Sequence, residues 1–112
     1  MSQSLIAKMR AAREQNVEVG GFTFVIRRPT ETEMMEMQNK PLGRSAIRHV
    51  VGWSDVKESD VLANGDPEPL EYDAEIAEEW LLDRIDLLAP LTDKVMTSFR
   101  DHIAKRAAAE KN

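Results

Sequence analysis

His49 and His102 are the only imidazoles in this chain, and imidazole is the side chain best suited to moving protons or holding a metal near neutral pH. Neither belongs to a His-x-x-x-His or Glu-x-x-His pair, the spacings that would put two ligands on one helix face. Both are expected in structural or surface roles. Glu78, Glu79, Asp83 and Asp86 could converge as an acid–base pair, but an acidic helix face is usually just solvated. Ser45 and Ser54 lack the flanking glycines of a nucleophile elbow. Gly20-Gly21 is followed by no Lys-Ser or Lys-Thr, so it does not make a phosphate loop. The acidic stretch Asn64-Gly65-Asp66-Pro67-Glu68-Pro69 lacks the ligand spacing of a calcium loop. No catalytic residue, metal ligand or cofactor is assigned, and the chain reads as non-enzymatic.

Arg27-Arg28 with Arg44 and Arg48 could gather into a small basic patch. The whole chain opposes a general nucleic-acid role, because 15 basic against 20 acidic residues leave a net charge of −5. A phosphate-backbone binder needs a basic face that displaces counterions. Cysteine is absent, which removes disulfides, thiolate metal sites and thiol nucleophiles together. No apolar run approaches the length of about 18 residues that spans a bilayer, and no signal-peptide core opens the chain. A soluble cytosolic protein is expected. With 112 residues, 42% hydrophobic and 31% charged, one domain with a small core is expected, and self-association would help it.

The elements that must position these residues form an α+β domain, mostly helical, with one hairpin and about four to five helices. Residues 1–16 read as an N-terminal helical arm, with Leu5, Met9 and Ala12 on one face, Ile6 beside them, and Lys8, Arg10 and Arg13 opposite. Residues 17–28 alternate on either side of Gly20-Gly21, the pattern of a two-residue hairpin turn. Phe22, Phe24 and Ile26 share one strand face. An uncovered hairpin edge or the Leu5-Met9-Ala12 face predicts weak self-association. Thr30-Glu31-Thr32-Glu33 is a capping box opening a helix with Met34, Met35 and Met37. Ile47, Val50 and Val51 fall at i, i+3 and i+4, which predicts a helical turn closed by Gly52 as C-cap, with Trp53 folding back over it. Asp73 caps a helix carrying Ile76, Ala77, Trp80 and Leu81. Pro90 is placed in the first turn of a last helix bearing Leu91, Val95, Phe99, Ile103 and Ala107. Trp53 and Trp80 are expected buried in one cluster with Phe99, and residues 106–112 as a frayed tail.

The order of pieces resembles a known group. Gly21-Phe22-Thr23-Phe24, Arg28-Pro29-Thr30-Glu31-Thr32-Glu33, Val50-Val51-Gly52-Trp53-Ser54-Asp55-Val56 and Trp80-Leu81-Leu82-Asp83 lie between a short N-terminal helix and a last helix that ends Ala109-Glu110-Lys111-Asn112. This layout is similar to small tail-module proteins of tailed bacteriophages, tail assembly chaperones among them. The resemblance implies a helper in the host cytoplasm that binds the long tape measure protein, touches the tail-tube protein during assembly, and is absent from the finished virion. It supplies no catalytic motif. Leu5, Met9, Met34, Met37 and Trp53 are the candidate partner-binding residues, since methionine repacks readily against varied apolar partners. Two alternatives are a virion structural protein of connector or head-completion type and a small phage regulator binding a host partner or nucleic acid.

Genes of tail assembly chaperones often yield a longer second product by ribosomal slippage. Glu110-Lys111-Asn112 can be encoded with the run A-AAA-AAC, on which paired tRNAs can slip back one base, or it is an ordinary polar C-terminus. The nucleotide sequence decides: other codons, or no open frame beyond them, remove the idea.

Overall fold

Gly20 and Gly21, at φ +61° and +85°, make the turn between β1 (Glu14–Val19) and β2 (Phe22–Arg27). Positive φ at both central positions matches the right-handed twist of the strands. The computed structural model describes residues 2–111. Around the hairpin stand α1 (Ser2–Ala11), α2 (Glu31–Met37), α3 (Leu42–Ile47), β3 (Val50–Ser54), α4 (Glu58–Val61), α5 (Ala74–Leu82) and α6 (Ile85–Glu110). The fold is α+β and mostly helical.

The sheet has three antiparallel strands in the order β1-β2-β3, one more than the hairpin alone. Val17, Val19, Phe24 and Ile26 turn one face toward α3, α5 and α6. Phe24 and Ile26 are fully buried, as befits the central strand. The opposite face carries Thr23, Val25 and Arg27, where the Arg27 guanidinium donates to the Glu14 carboxylate across the strands at 2.6 Å.

β3 corrects the helical turn expected at 47–51. Helix α3 ends at Ile47, and Val50 opens a strand that pairs with β2. The pairs are Phe24 with Trp53, Val25 with Gly52, and Ile26 with Val50, so Val51 is an extra residue, a bulge. In a regular strand Val50 and Trp53, three apart, would face opposite ways. The bulge returns both to the core side. Gly52 is therefore no C-cap. It lies opposite Val25, whose Cγ2 an added Cβ would meet at 3.3 Å. The positive φ in this region belongs instead to Asp55, at +62°, and aspartate tolerates that conformation better than most residues.

Trp80, 5% exposed, meets Phe22, Phe24 and Trp53 with ring centroids 5.2, 6.1 and 5.9 Å apart. Phe99 is not in this cluster; it lies about one turn beyond Val95, the last fully buried residue of α6, and contacts His102. Tyr72 packs edge-on against Trp53 and donates its hydroxyl to the Val50 carbonyl at 2.6 Å, while Trp53 Nε1 donates to the Leu70 carbonyl at 2.8 Å. These two bonds tie residues 70–72 to the sheet.

The caps are where the sequence places them. The Thr30 hydroxyl accepts from Glu33 N and the Glu33 carboxylate accepts from Thr30 N. Asp73 accepts from the backbone N–H groups of Glu75 and Ile76. Helix α6 departs from expectation by starting at Ile85, so Pro90 is interior rather than in its first turn. Leu87, Leu88, Leu91 and Val95 are all buried on one stripe, and that packing outweighs the one backbone bond that Pro90 cannot make. At its other end α6 is helical through Glu110, where a frayed tail was expected.

Gly20 needs its bare Cα twice over: for positive φ, and because a Cβ there would collide with Leu87 Cδ2. Gly21 has the same backbone requirement but open space around it. Urea unfolding should show Gly21→Ala losing about 1–2 kcal/mol, the cost of a left-handed alanine. Gly20→Ala should lose measurably more. Equal losses would mean that the Leu87 contact contributes nothing.

Candidate partner-binding site

Helix α1 stands apart from the core. Every side chain at positions 3–12 is exposed, and Leu5, Ile6 and Met9 are 60%, 44% and 60% exposed. A ten-residue helix is marginal in water without tertiary support, and its apolar face is open to solvent. The whole chain bears this out in area. Its accessible surface is 7843 Å², against about 6,200 Å² for a compact monomer of this mass. Its radius of gyration is 15.5 Å, against about 13 Å for a compact domain. Besides α1, the last turns of α6 beyond Ile103 add to this excess, being exposed throughout.

A groove of about 580 Å³ runs between α1 and the rest, with Ile6 and Met9 on one side and Arg13, Arg28, Thr30 and His102 among its other lining residues. Its floor is held together by the hairpin base. Arg28 N donates to the Arg13 carbonyl at 2.7 Å, and Arg13 Nη1 donates to the Arg28 carbonyl at 3.1 Å. Arg13 also stands 3.6 Å from the Glu33 carboxylate. Burial, and then the neighbouring Arg13 charge, lower the pKa of Arg28. Across the groove, the Glu31 carboxylate accepts from Arg106 and lies 3.4 Å from His102 Nε2. The Arg106 bond, more than any other influence, holds the Glu31 pKa low. These contacts strap the start of α2 to the distal half of α6.

The five candidate residues are therefore not one surface. Leu5 and Met9 sit on the open face of α1. Met34 and Met37 are 9% and 5% exposed and offer a partner almost nothing, while Met35 between them is 64% exposed. Trp53 is half-buried in the aromatic cluster, with its indole N–H already engaged. The four arginines also separate: Arg27 pairs with Glu14, Arg28 faces the groove, and Arg44 and Arg48 line a second cavity of about 330 Å³. Residue-by-residue reading missed the placement of Arg28 beside Arg13. The signal was in the hairpin: extending its register outward from Val19 and Phe22 brings these two residues opposite each other.

The second cavity also contains Ser45, His49, Glu33 and Glu78. Among the described residues no hydrogen bond joins Ser45 to His49, so this arrangement sets up no nucleophile–base pair. No three His, Asp or Glu side chains among the described residues group closely enough to hold a metal ion. No described helix is long and apolar enough to cross a membrane. No protein-family model, no curated protein and no solved structure matches the chain.

His49 is 7% exposed, and burial lowers its pKa below the ordinary 6.5, with Glu33 partly opposing. The unfolded chain then takes up a proton near pH 6.5 that the folded ring resists, so stability must fall as pH drops through that value. Glu33 responds in a lower window. Burial would raise its carboxyl, but the Thr30 hydrogen bonds and the nearby His49 outweigh that and hold it below 4.5, so its contribution disappears only in stronger acid. Melting at pH 7 and pH 5 should show a drop for the native chain that His49→Phe reduces. An unchanged drop would place the responsible proton elsewhere.

Proposed function

We propose that this protein is a non-enzymatic tail assembly chaperone of a tailed bacteriophage. It shelters apolar helical segments of the tape measure protein in the host cytoplasm while tail-tube subunits polymerise. One observation carries the reading: α1 presents Leu5, Ile6 and Met9 to solvent on a helix with almost no tertiary support. Covering a large apolar side chain is worth about 1.5–3 kcal/mol when complete. Three half-exposed ones therefore favour a partner without forcing permanent association. A helper that releases its client needs that balance. The acidic net charge keeps such a protein soluble while it displays an apolar face. The order of short motifs from Gly21 to Asp83, similar to that of tail-module proteins, supports the same reading. Weak self-association through the α1 face fits it too, since the face is open until a client arrives.

Co-expression tests the proposal directly. With the tape measure protein encoded in the same genome, the client should stay soluble and co-purify with this chain. A client that remains insoluble, or a chain recovered as a stoichiometric component of purified particles, would overturn the chaperone assignment. Leu5→Asp combined with Met9→Asp should abolish co-purification while changing stability by no more than about 0.5 kcal/mol, the usual range for surface substitutions. Met34→Asp should instead lower the thermal midpoint, because it places a charge in the core. If the α1 double variant kept its client, α1 would not be the binding element.

A further inference from the structure

The groove beside α1 has a charge opposite to that of the protein. The chain carries −5, yet Arg10, Arg13, Arg28 and His102 line this one depression together with the apolar Ile6 and Met9. Its one acidic lining residue, Glu31, is already engaged. Glu31 is bound by Arg106 and His102, and Glu33, outside the groove, is shared between Thr30 and Arg13. Arg10 and Arg28, by contrast, make no ion pair with any described residue. The Arg28 guanidinium donates only to the Pro29 carbonyl, at 2.9 Å.

Resting on the reading that this site receives a partner protein, we infer that the groove selects an amphipathic helix whose apolar stripe is flanked by aspartate or glutamate. The apolar stripe covers Ile6 and Met9, and the carboxylates meet Arg10 and Arg28. The surface in excess of a compact monomer, about 1,600 Å² shared between α1 and the end of α6, exceeds the roughly 800 Å² that one partner contributes to a standard protein–protein interface. That leaves room for such a helix to seat fully. Complementary charge sets encounter rate and register more than raw affinity, which suits recognition of one segment among many apolar helices in a long client.

Two fluorescein-labelled synthetic helices of about 18 residues, long enough to be helical, test this. They share one Leu/Met stripe, with glutamate on the polar face of one and lysine on that of the other. Fluorescence anisotropy should show the glutamate helix binding at least about tenfold tighter, with the difference shrinking as salt screens it. Arg10→Glu, on the exposed side of α1, should remove most of the preference without altering the melting curve. Arg10→Glu with Arg28→Glu should reverse it.

Equal affinity for both helices would overturn the inference. So would tighter binding of a short DNA duplex. So would a homodimer that Arg10→Glu dissociates, since a second copy would then occupy the groove. A client that co-purifies while neither helix discriminates sinks the charge selection and leaves the chaperone reading standing. Discrimination without client solubility does the reverse.

Discussion

Trp80 is the contact on which the domain turns. It is a helix residue, yet its ring meets two side chains of β2 and one of β3, at centroid separations between 5.2 and 6.1 Å. Edge-to-face aromatic pairs contribute about 0.5–1.5 kcal/mol each beyond the area they bury. Here two edge-to-face pairs and one tilted pair share one indole, so the sheet and α5 cannot separate without losing all of them together. Such coupling matters in a domain of this size, where a smaller share of the chain is available to make a core. The Trp53–Tyr72 pair extends the junction to residues 70–72, through bonds to the Leu70 and Val50 carbonyls. The long segment between β3 and α5 is thereby fastened at its far end.

What was legible in the sequence were features with a local cause. The Gly20-Gly21 turn, the Thr30–Glu33 box and the Asp73 cap each depend on a few neighbouring residues, and each stands where the residues place it. The third strand was illegible for a specific reason. A bulge at Val51 puts Val50 and Trp53, three positions apart, on one face, and a three-residue apolar spacing is also the mark of a helix. Periodicity cannot separate the two without knowing that β2 has a free edge to fill. The start of α6 was hidden differently. Pro90 signals a first turn, and only the packing of Leu87 and Leu88 against the core reveals the helical turn before it.

The candidate site was half legible. Leu5 and Met9 are apolar on a short terminal helix, and nothing in the fold covers them. Met34 and Met37 have the same side chain as Met9 but lie on the inner face of α2, a distinction set by tertiary placement alone. The basic lining was scattered along the chain. Arg10 and Arg13 read as a solvated helix face and Arg28 as part of another patch. Hairpin pairing across 15 positions of sequence joins Arg13 to Arg28. Opposing charge at Glu31, from a different helix again, leaves the groove basic by being neutralised from α6.

The hairpin lies alongside α6, and the two are matched in length. Its tip rests on Leu87 through the bare Cα of Gly20, and its base, at Arg13 and Arg28, shares a cavity with Ser98, His102 and Lys105. From Leu87 to His102 a helix rises about 22 Å at 1.5 Å per residue. From Gly20 back to Arg13 a strand covers about 23 Å at 3.3 Å per residue. The hairpin thus acts as a ruler laid against the helix. It is fixed at one end by a missing side chain and at the other by the strap of Glu31 to Arg106. Chain length, rather than any residue within the groove, sets how far from the core the α1 face stands. A homologue with two residues added to each strand would need about one and a quarter more turns of helix between the corresponding anchors to keep the same face assembled.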